Sequence, residues 1–267
     1  LSYGKTLMRV PLGIVGQGVG VASFPILAQL YSENKFDELN RILNSIFKGI
    51  VFLLVPISAL TIAQSLPLVH LVFAHTRLRA PDMQATAVCL AFFSIGMFAW
   101  GAQYNLARGF YATRDTITPA VVGTVMTALN LPLYWWLVRR SQHVGLALAS
   151  SLGIVAYTLV LFVLLNRRTK NHAQAGLAAF FCKVTAASAV AGLACYKLTA
   201  WLEARMAWQG PFGSLLLLVM ASTVGIAVLA VALKILRVPE LESYFLRALS
   251  IAGFGKTRTQ IDITNPD

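Results

Sequence analysis

The chain has 267 residues, 57% of them hydrophobic and 12% charged, with a net charge of +12 and a mean hydropathy of +0.70. Soluble domains carry about 25% charged residues, so half of the usual solvating charge is missing; that excludes an ordinary water-soluble globular protein and a disordered regulator. The excess of 22 Lys and Arg over 10 Asp and Glu does not point to nucleic acid, because no basic helix or aromatic-basic ladder stands outside the apolar stretches. Basic residues that cap membrane spans account for it instead.

Charge-free gaps run 10–32, 49–76, 83–107, 116–138, 141–166 and 206–233, and a further apolar stretch, about 177–202, is interrupted by Lys183 and Lys197. A helix crosses about 30 Å of hydrocarbon with roughly 20 apolar residues. The composition therefore predicts an all-α, polytopic membrane protein with seven transmembrane helices, the lysines of the added stretch snorkelling to the interface.

The first span, about 10–31, is glycine-rich: Gly13, Gly16 and Gly20 stand at helical spacings, and Gly16 and Gly20 form a G-x-x-x-G pair suited to close helix approach. A polar loop follows, in which Phe36, Leu39, Ile42 and Leu43 recur at the period of a short amphipathic helix. The second span, about 46–72, contains Pro56, read as a kink or hinge. The third, about 85–107, ends in a polar loop that opens the fourth, about 119–138. Trp135, Trp136, Arg139 and Arg140 close the fourth as an interfacial anchor. The fifth runs about 144–166. After the basic loop at Arg167 come the sixth and seventh, about 177–202 and 212–236. Residues 1–166 thus form a unit of five spans, 167–239 a unit of two, and 240–267 an interfacial helix with a flexible tail. Alternate sides receive fourteen and eight Lys and Arg. The richer side is expected in the cytoplasm, with the C-terminus. There is no initiating Met and no signal peptide, so the chain is expected to be a piece of a longer one.

Few motifs carry chemistry. Two Gly-Lys-Thr triplets, at Gly4 and Gly255, lack the upstream glycine and strand of a phosphate-binding loop. The four histidines and three cysteines show no metal-ligand spacing. All ten carboxylates lie in loops, at span ends or in the tail, which argues against a proton relay or intramembrane protease in this stretch. No nucleophile and base converge, so neither catalytic residues, a metal nor a cofactor is expected. Lys5 and Arg9 stand one helical turn apart at the edge of the first span. Two readings stand: an interfacial anchor, or a cationic clamp for an anionic headgroup. Gln17, Gln103, Asn105 and Asn130 are neutral polar groups within spans; they line a wet cavity or tie helices together.

Three blocks together carry a resemblance: Val10 to Gly16 (VPLGIVG), Gly109 to Pro119 (GFYATRDTITP) and His143 to Ser150 (HVGLALAS). In order and spacing they resemble the MurJ (MviN) family of lipid II flippases, within the multidrug/oligosaccharidyl-lipid/polysaccharide exporter superfamily. The likeness covers about 1–166, with a weaker hydropathy match through 237. It implies the back half of a protein of roughly fourteen spans. The first five spans would belong to a second lobe whose own first helix is absent, and the last two would shape a groove for a polyprenyl tail. The implied function is movement of a polyprenyl-diphosphate-linked glycan, lipid II, to the outer leaflet of the bacterial inner membrane by alternating access. The implied partners are membrane lipids and an N-terminal lobe, and no enzyme activity is implied. The motif loop would contribute Tyr111, Arg114, Asp115, Thr118 and Pro119. One departure is plain: members commonly carry an arginine about five residues before the proline matched by Pro11, where this chain has Thr6 between Lys5 and Arg9. Export of another polyprenyl-linked oligosaccharide or of a drug, and a non-transporting scaffold for cell-wall assembly, are the rival readings.

Overall fold

The computed structural model describes residues 1–13, 18–73, 76, 78–171, 174–205, 208 and 210–236. Nine helices occur among the described residues: α1 (Ser2–Leu12), α2 (Gly18–Ser32), α3 (Phe36–Ala63), α4 (Ser65–Phe73), α5 (Ala80–Ile95), α6 (Met97–Ala112), α7 (Ile117–Arg168), α8 (Gln174–Glu203) and α9 (Pro211–Ile235). The described residues include no strand.

Four helices, α3, α7, α8 and α9, are long and apolar enough to cross a bilayer, and α5 with α6, bent by 44°, passes the same test as a pair. At 1.5 Å per residue, the 52 residues of α7 would measure about 78 Å as one rod, more than twice the hydrocarbon thickness. It is instead a hairpin, its dihedrals leaving helical values at Ser141 and at Gln142, where φ is +46°. Tyr134 and Ser150, from its two limbs, meet at 3.2 Å. The fourth and fifth expected spans are thus the two limbs of α7. The expected first span differs more: helix begins at Ser2, not near residue 10, and α1 and α2 have 11 and 15 residues. Neither reaches across hydrocarbon alone. The expected interfacial helix and tail over 240–267 lie outside the described residues.

Other expectations shift for local reasons. The amphipathic turn at Phe36 is not separate but the first turns of α3, whose N-terminus carries Asp37 and Glu38 in favourable register with the helix dipole. Pro56 is buried within α3, which continues to Ala63; the break falls at Gln64 (φ −117°, ψ 23°). The α5–α6 bend at Gly96 frees carbonyls inside the apolar layer, where each unsatisfied group is costly. The second limb of α7 answers one of them, Ser151 Oγ donating to the Phe92 carbonyl at 2.6 Å; farther along α6, Thr158 Oγ1 donates to the Ala99 carbonyl at 3.1 Å.

The core joins Met8 and Leu12 of α1 to Ile50 and Leu54 of α3, Leu90 and Phe93 of α5 and Met97 of α6. A second cluster seats Phe180 and Val184 of α8 and Leu233 of α9 against Val51 and Val55. Because lipid tails are as apolar as these side chains, close packing and polar ties, more than burial itself, hold such helices together. Gly4 is one such approach: an added Cβ would stand 3.2 Å from the Leu90 backbone nitrogen. The outer surface stays greasy, with Phe212 78% and Ile235 73% exposed, as suits lipid and not water.

Candidate functional site

One end of the bundle is built from three turns of the same design. Asn34, Arg114 and Lys170 take φ of 58°, 58° and 53°, and after each the next amide closes onto the last helical turn: Lys35 to Leu30, Asp115 to Phe110 and Asn171 to Asn166, at 2.9–3.0 Å. This is the Schellman stop. The motif loop continues it into a start. Asp115 Oδ1 accepts the Thr118 amide at 2.9 Å and Oδ2 the Thr118 hydroxyl at 2.7 Å, capping the first turn of α7. Oδ2 also takes Arg168 Nη1 at 2.8 Å, and Arg168 reaches the Thr113 carbonyl. The Thr118 amide, then its hydroxyl and the Arg168 charge, hold the Asp115 carboxyl below its ordinary range. Pro119 accepts from the Tyr157 hydroxyl at 3.1 Å. Arg114, Asp115, Thr118 and Pro119 are therefore a stop-and-start signal between two helices. Beside them Asn40 donates to the Thr169 carbonyl, and Asn171 to Asn44 and Asn166, which fastens α3 to the hairpin and to the start of α8.

Between α6 and α7 lies a groove with a partly polar lining, its polar groups set among Ala107, Ala120, Ala128 and Leu131. A cavity of about 810 Å³ is lined by Gln103, Tyr104, Arg108, Tyr111, Thr124 and Thr127 among others. An adjoining one of about 350 Å³ shares Gln103, Gly123, Thr127 and Tyr157 and adds Trp100, Asn130, Tyr134 and Ser150. Lys5 is half-buried, its Nζ 5.7 Å from the centroid of the Trp100 ring. It lies in α1 against Trp100 of the groove wall and is not itself a lining residue of either cavity. On the far side of α3 an apolar groove of about 570 Å³ runs against α8, lined by Ala59, Ile62, Phe98, Ala189, Leu193 and Tyr196 among others.

The candidate residues divide accordingly. Gln103 and Asn130 line the polar groove, and Asn130 also donates to the Met126 carbonyl at 2.7 Å. Asn105 does not line it. It is buried, donates to the Gly101 carbonyl of its own helix and shares with Asn44 and Asn166 the lining of a space of about 20 Å³. Thr6 is exposed and its hydroxyl donates back to the Ser2 carbonyl; Arg9 is exposed on the next turn. Gly13 carries helical dihedrals, and an added Cβ there would meet nothing within 4 Å, so it makes no close packing contact among the described residues. Gly20 lies in α2, while Gln17 and Gly16 lie outside the described residues. Trp100, Tyr104, Thr127 and Tyr157 were not expected at the site. The signal for part of this set is in the sequence: Trp100, Gln103, Tyr104, Arg108 and Tyr111 recur every three or four residues, one stripe of a helix.

At the opposite end, Arg139 lies 3.9 Å from the ring centroid of Trp135, Arg140 5.2 Å from that of Trp136, and Arg205 4.5 Å from that of Trp201. Rings and guanidinium groups paired in this way suit a membrane–water boundary.

The family model of lipid II flippase MurJ matches residues 1–221. The chain belongs to this family. Relatives in Synechocystis and Thermotoga maritima, each named a probable lipid II flippase MurJ, are 25% and 27% identical over 91% and 92% of this chain, and over 45% and 47% of their own lengths. A relative in Burkholderia cenocepacia, named lipid II flippase MurJ, is 26% identical over 79% of this chain and 40% of its own. A solved lipid II flippase MurJ in an inward closed conformation superposes with a TM-score of 0.66 at 20% identity, over 93% of this chain and 48% of the other. That likeness shows the fold: half of a MurJ architecture. The chain spans about half the length of the relatives it matches.

Proposed function

We propose that this chain forms the second half of a lipid II flippase, a transporter and not an enzyme, carrying a polyprenyl-diphosphate-linked glycan between leaflets by alternating access. The observation that carries the reading is the pairing, on one half-molecule of this family, of a polar groove at α6 and α7 with an apolar groove at α3 and α8. The cargo has the same two natures. A diphosphate and sugar headgroup cannot enter hydrocarbon without replacement of its water, since each desolvated charge costs several kcal/mol. A hydrated groove supplies that replacement while the tail stays in a lateral apolar channel.

In this reading Lys5 and Arg9 stand in for the arginine that Thr6 displaces, and the cation beside Trp100 meets the diphosphate. An N-terminal lobe closes the other side of the polar groove, and the two lobes rock past each other as in other repeat-built transporters. The Asp115 end faces the cytoplasm of a bacterial inner membrane, in keeping with its surplus of Lys and Arg. Helices α8 and α9 form the wall that holds the tail. The reading is tested in the full-length protein, expressed in cells depleted of their own flippase. Restored growth, with lipid II becoming accessible to an external reagent, is expected. Growth without translocation fits a scaffold and overturns the transport reading. Ala189 is exposed in the apolar groove, so Ala189→Trp should slow translocation without loss of folded protein.

A further inference from the structure

Resting on that transport reading, we infer that the groove between α6 and α7 binds the uncharged glycan of the headgroup, with Tyr104 and Tyr111 as two stacking platforms. Both rings are open, at 37% and 44% exposure, and both line the 810 Å³ cavity. Seven residues apart on one helix, they share a face and stand about 10 Å apart along its axis, so that they meet the two ends of a pair of linked sugar rings. The apolar face of a pyranose stacks on an aromatic ring and leaves its rim of hydroxyls pointing sideways.

The facing wall suits those hydroxyls. Thr124 and Thr127, on the first limb of α7, spend their hydroxyl protons on the Ala120 and Gly123 carbonyls at 3.0 and 2.8 Å. Each exposed oxygen is left as an acceptor, matched to a sugar O–H. Gln103, between the walls, lines the cavity with an amide whose oxygen is buried and whose nitrogen carries the donor capacity. Arg108 is the single fully charged side chain among the residues that line the cavity. Rings, hydroxyls and an amide with one cation make a poor bed for a bare diphosphate and a good one for a neutral saccharide. The headgroup is thereby divided: its charge goes to the Lys5 side and its sugars to the Tyr104–Tyr111 stripe.

The test uses the purified full-length protein and two probes, polyprenyl diphosphate bearing the disaccharide and polyprenyl diphosphate bearing none, with Kd measured for each. Tyr104→Leu and Tyr111→Leu should weaken the glycosylated probe by about three- to tenfold each and leave the sugar-free probe within twofold. Tyr104→Phe and Tyr111→Phe keep the platforms and should bind like the unaltered protein. Equal weakening of both probes, or an unaltered affinity in the double leucine variant, overturns the inference while leaving transport standing. Failure of the unaltered protein to bind either probe overturns the transport reading itself, and this inference with it.

Discussion

The ammonium of Lys5, on α1, stands 5.7 Å from the centroid of the Trp100 ring on α6, and Trp100 in turn lines the polar cavity beside Gln103 and Asn130. A lysine in an apolar layer is expensive, and the electron-rich ring face compensates part of that cost while keeping the charge near the groove. If the charge serves the cargo, Lys5→Gln with Arg9→Gln in the full-length protein should abolish complementation of flippase-depleted cells at unchanged expression. Lys5→Arg should retain it. Normal growth of the double glutamine variant would reduce both residues to anchors.

Asp115 gives a stability prediction with a sign. Its carboxyl is held below the ordinary value of 3.8, first by the Thr118 amide, then by the Thr118 hydroxyl and Arg168. A depressed carboxylate contributes stability that is present above that ordinary value and lost as pH falls through the lower folded value. Asp115→Ala removes the cap and should cost about 1–2 kcal/mol at neutral pH. Asp115→Asn keeps an acceptor for the Thr118 amide and should cost less, because Arg168 is 41% exposed and solvent screens its pairing. Thermal unfolding in detergent from pH 7 down to pH 3 should show the gap between the unaltered protein and Asp115→Asn closing as acid is approached. A gap that stays constant would mean the charge contributes nothing.

Spans written in long apolar runs were legible because hydrocarbon thickness sets their length: the α7 hairpin and helices α8 and α9 fall where apolar stretches place them. Breaks inside such runs were not, because composition does not register them. Gln64 and Gly96 interrupt α3–α4 and α5–α6, while Pro56, the loudest breaker in the sequence, does not end its helix. Proline can be carried within a membrane helix when neighbours absorb its lost bond, and the place where a chain bends depends on which neighbour can satisfy the freed groups. The site followed the same logic. Gln103 and Asn130 line the groove, but Asn105, two residues after Gln103, points to the opposite face of α6 and is buried. Polarity alone could not separate them; the stripe running through Trp100, Tyr104, Arg108 and Tyr111 could.

The turn of the α7 hairpin depends on Gly145. A Cβ there would run into the Leu137 carbonyl group, and backbone cannot move aside as a flexible side chain can. Gly145→Ala should therefore destabilise by about 1–3 kcal/mol, read as a lowered Tm in detergent. Gly13→Ala is the contrast. Its dihedrals are helical and an added Cβ meets nothing within 4 Å among the described residues, so the added methyl should be neutral, or stabilising by up to about 1 kcal/mol. Equal effects at the two positions would mean that the limbs of α7 do not approach as closely as the structure places them.

Gln64 ties α8 and α9 to the rest. At the break after α3 its amide donates to Cys195 Sγ of α8 at 2.8 Å and to Ser222 Oγ of α9 at 3.0 Å, and Ser222 returns a bond to Gln64 Oε1 at 3.3 Å. Such ties within a membrane are worth about 0.6 kcal/mol each on average, so Gln64→Leu should open the joint without unfolding the bundle. Cys195 is the reporter, since its side chain is fully buried. In a background carrying Cys89→Ala and Cys182→Ala, a membrane-permeant maleimide should label Cys195 slowly. With Gln64→Leu the rate should rise about threefold or more, as loss of one such tie implies. Gln64→Glu, which keeps an acceptor for the Ser222 hydroxyl but gives up the amide donor to Cys195, should fall between the two. Labelling unchanged by Gln64→Leu would show that apolar packing of Val51, Val55 and Phe180 holds α8 in place without the polar joint.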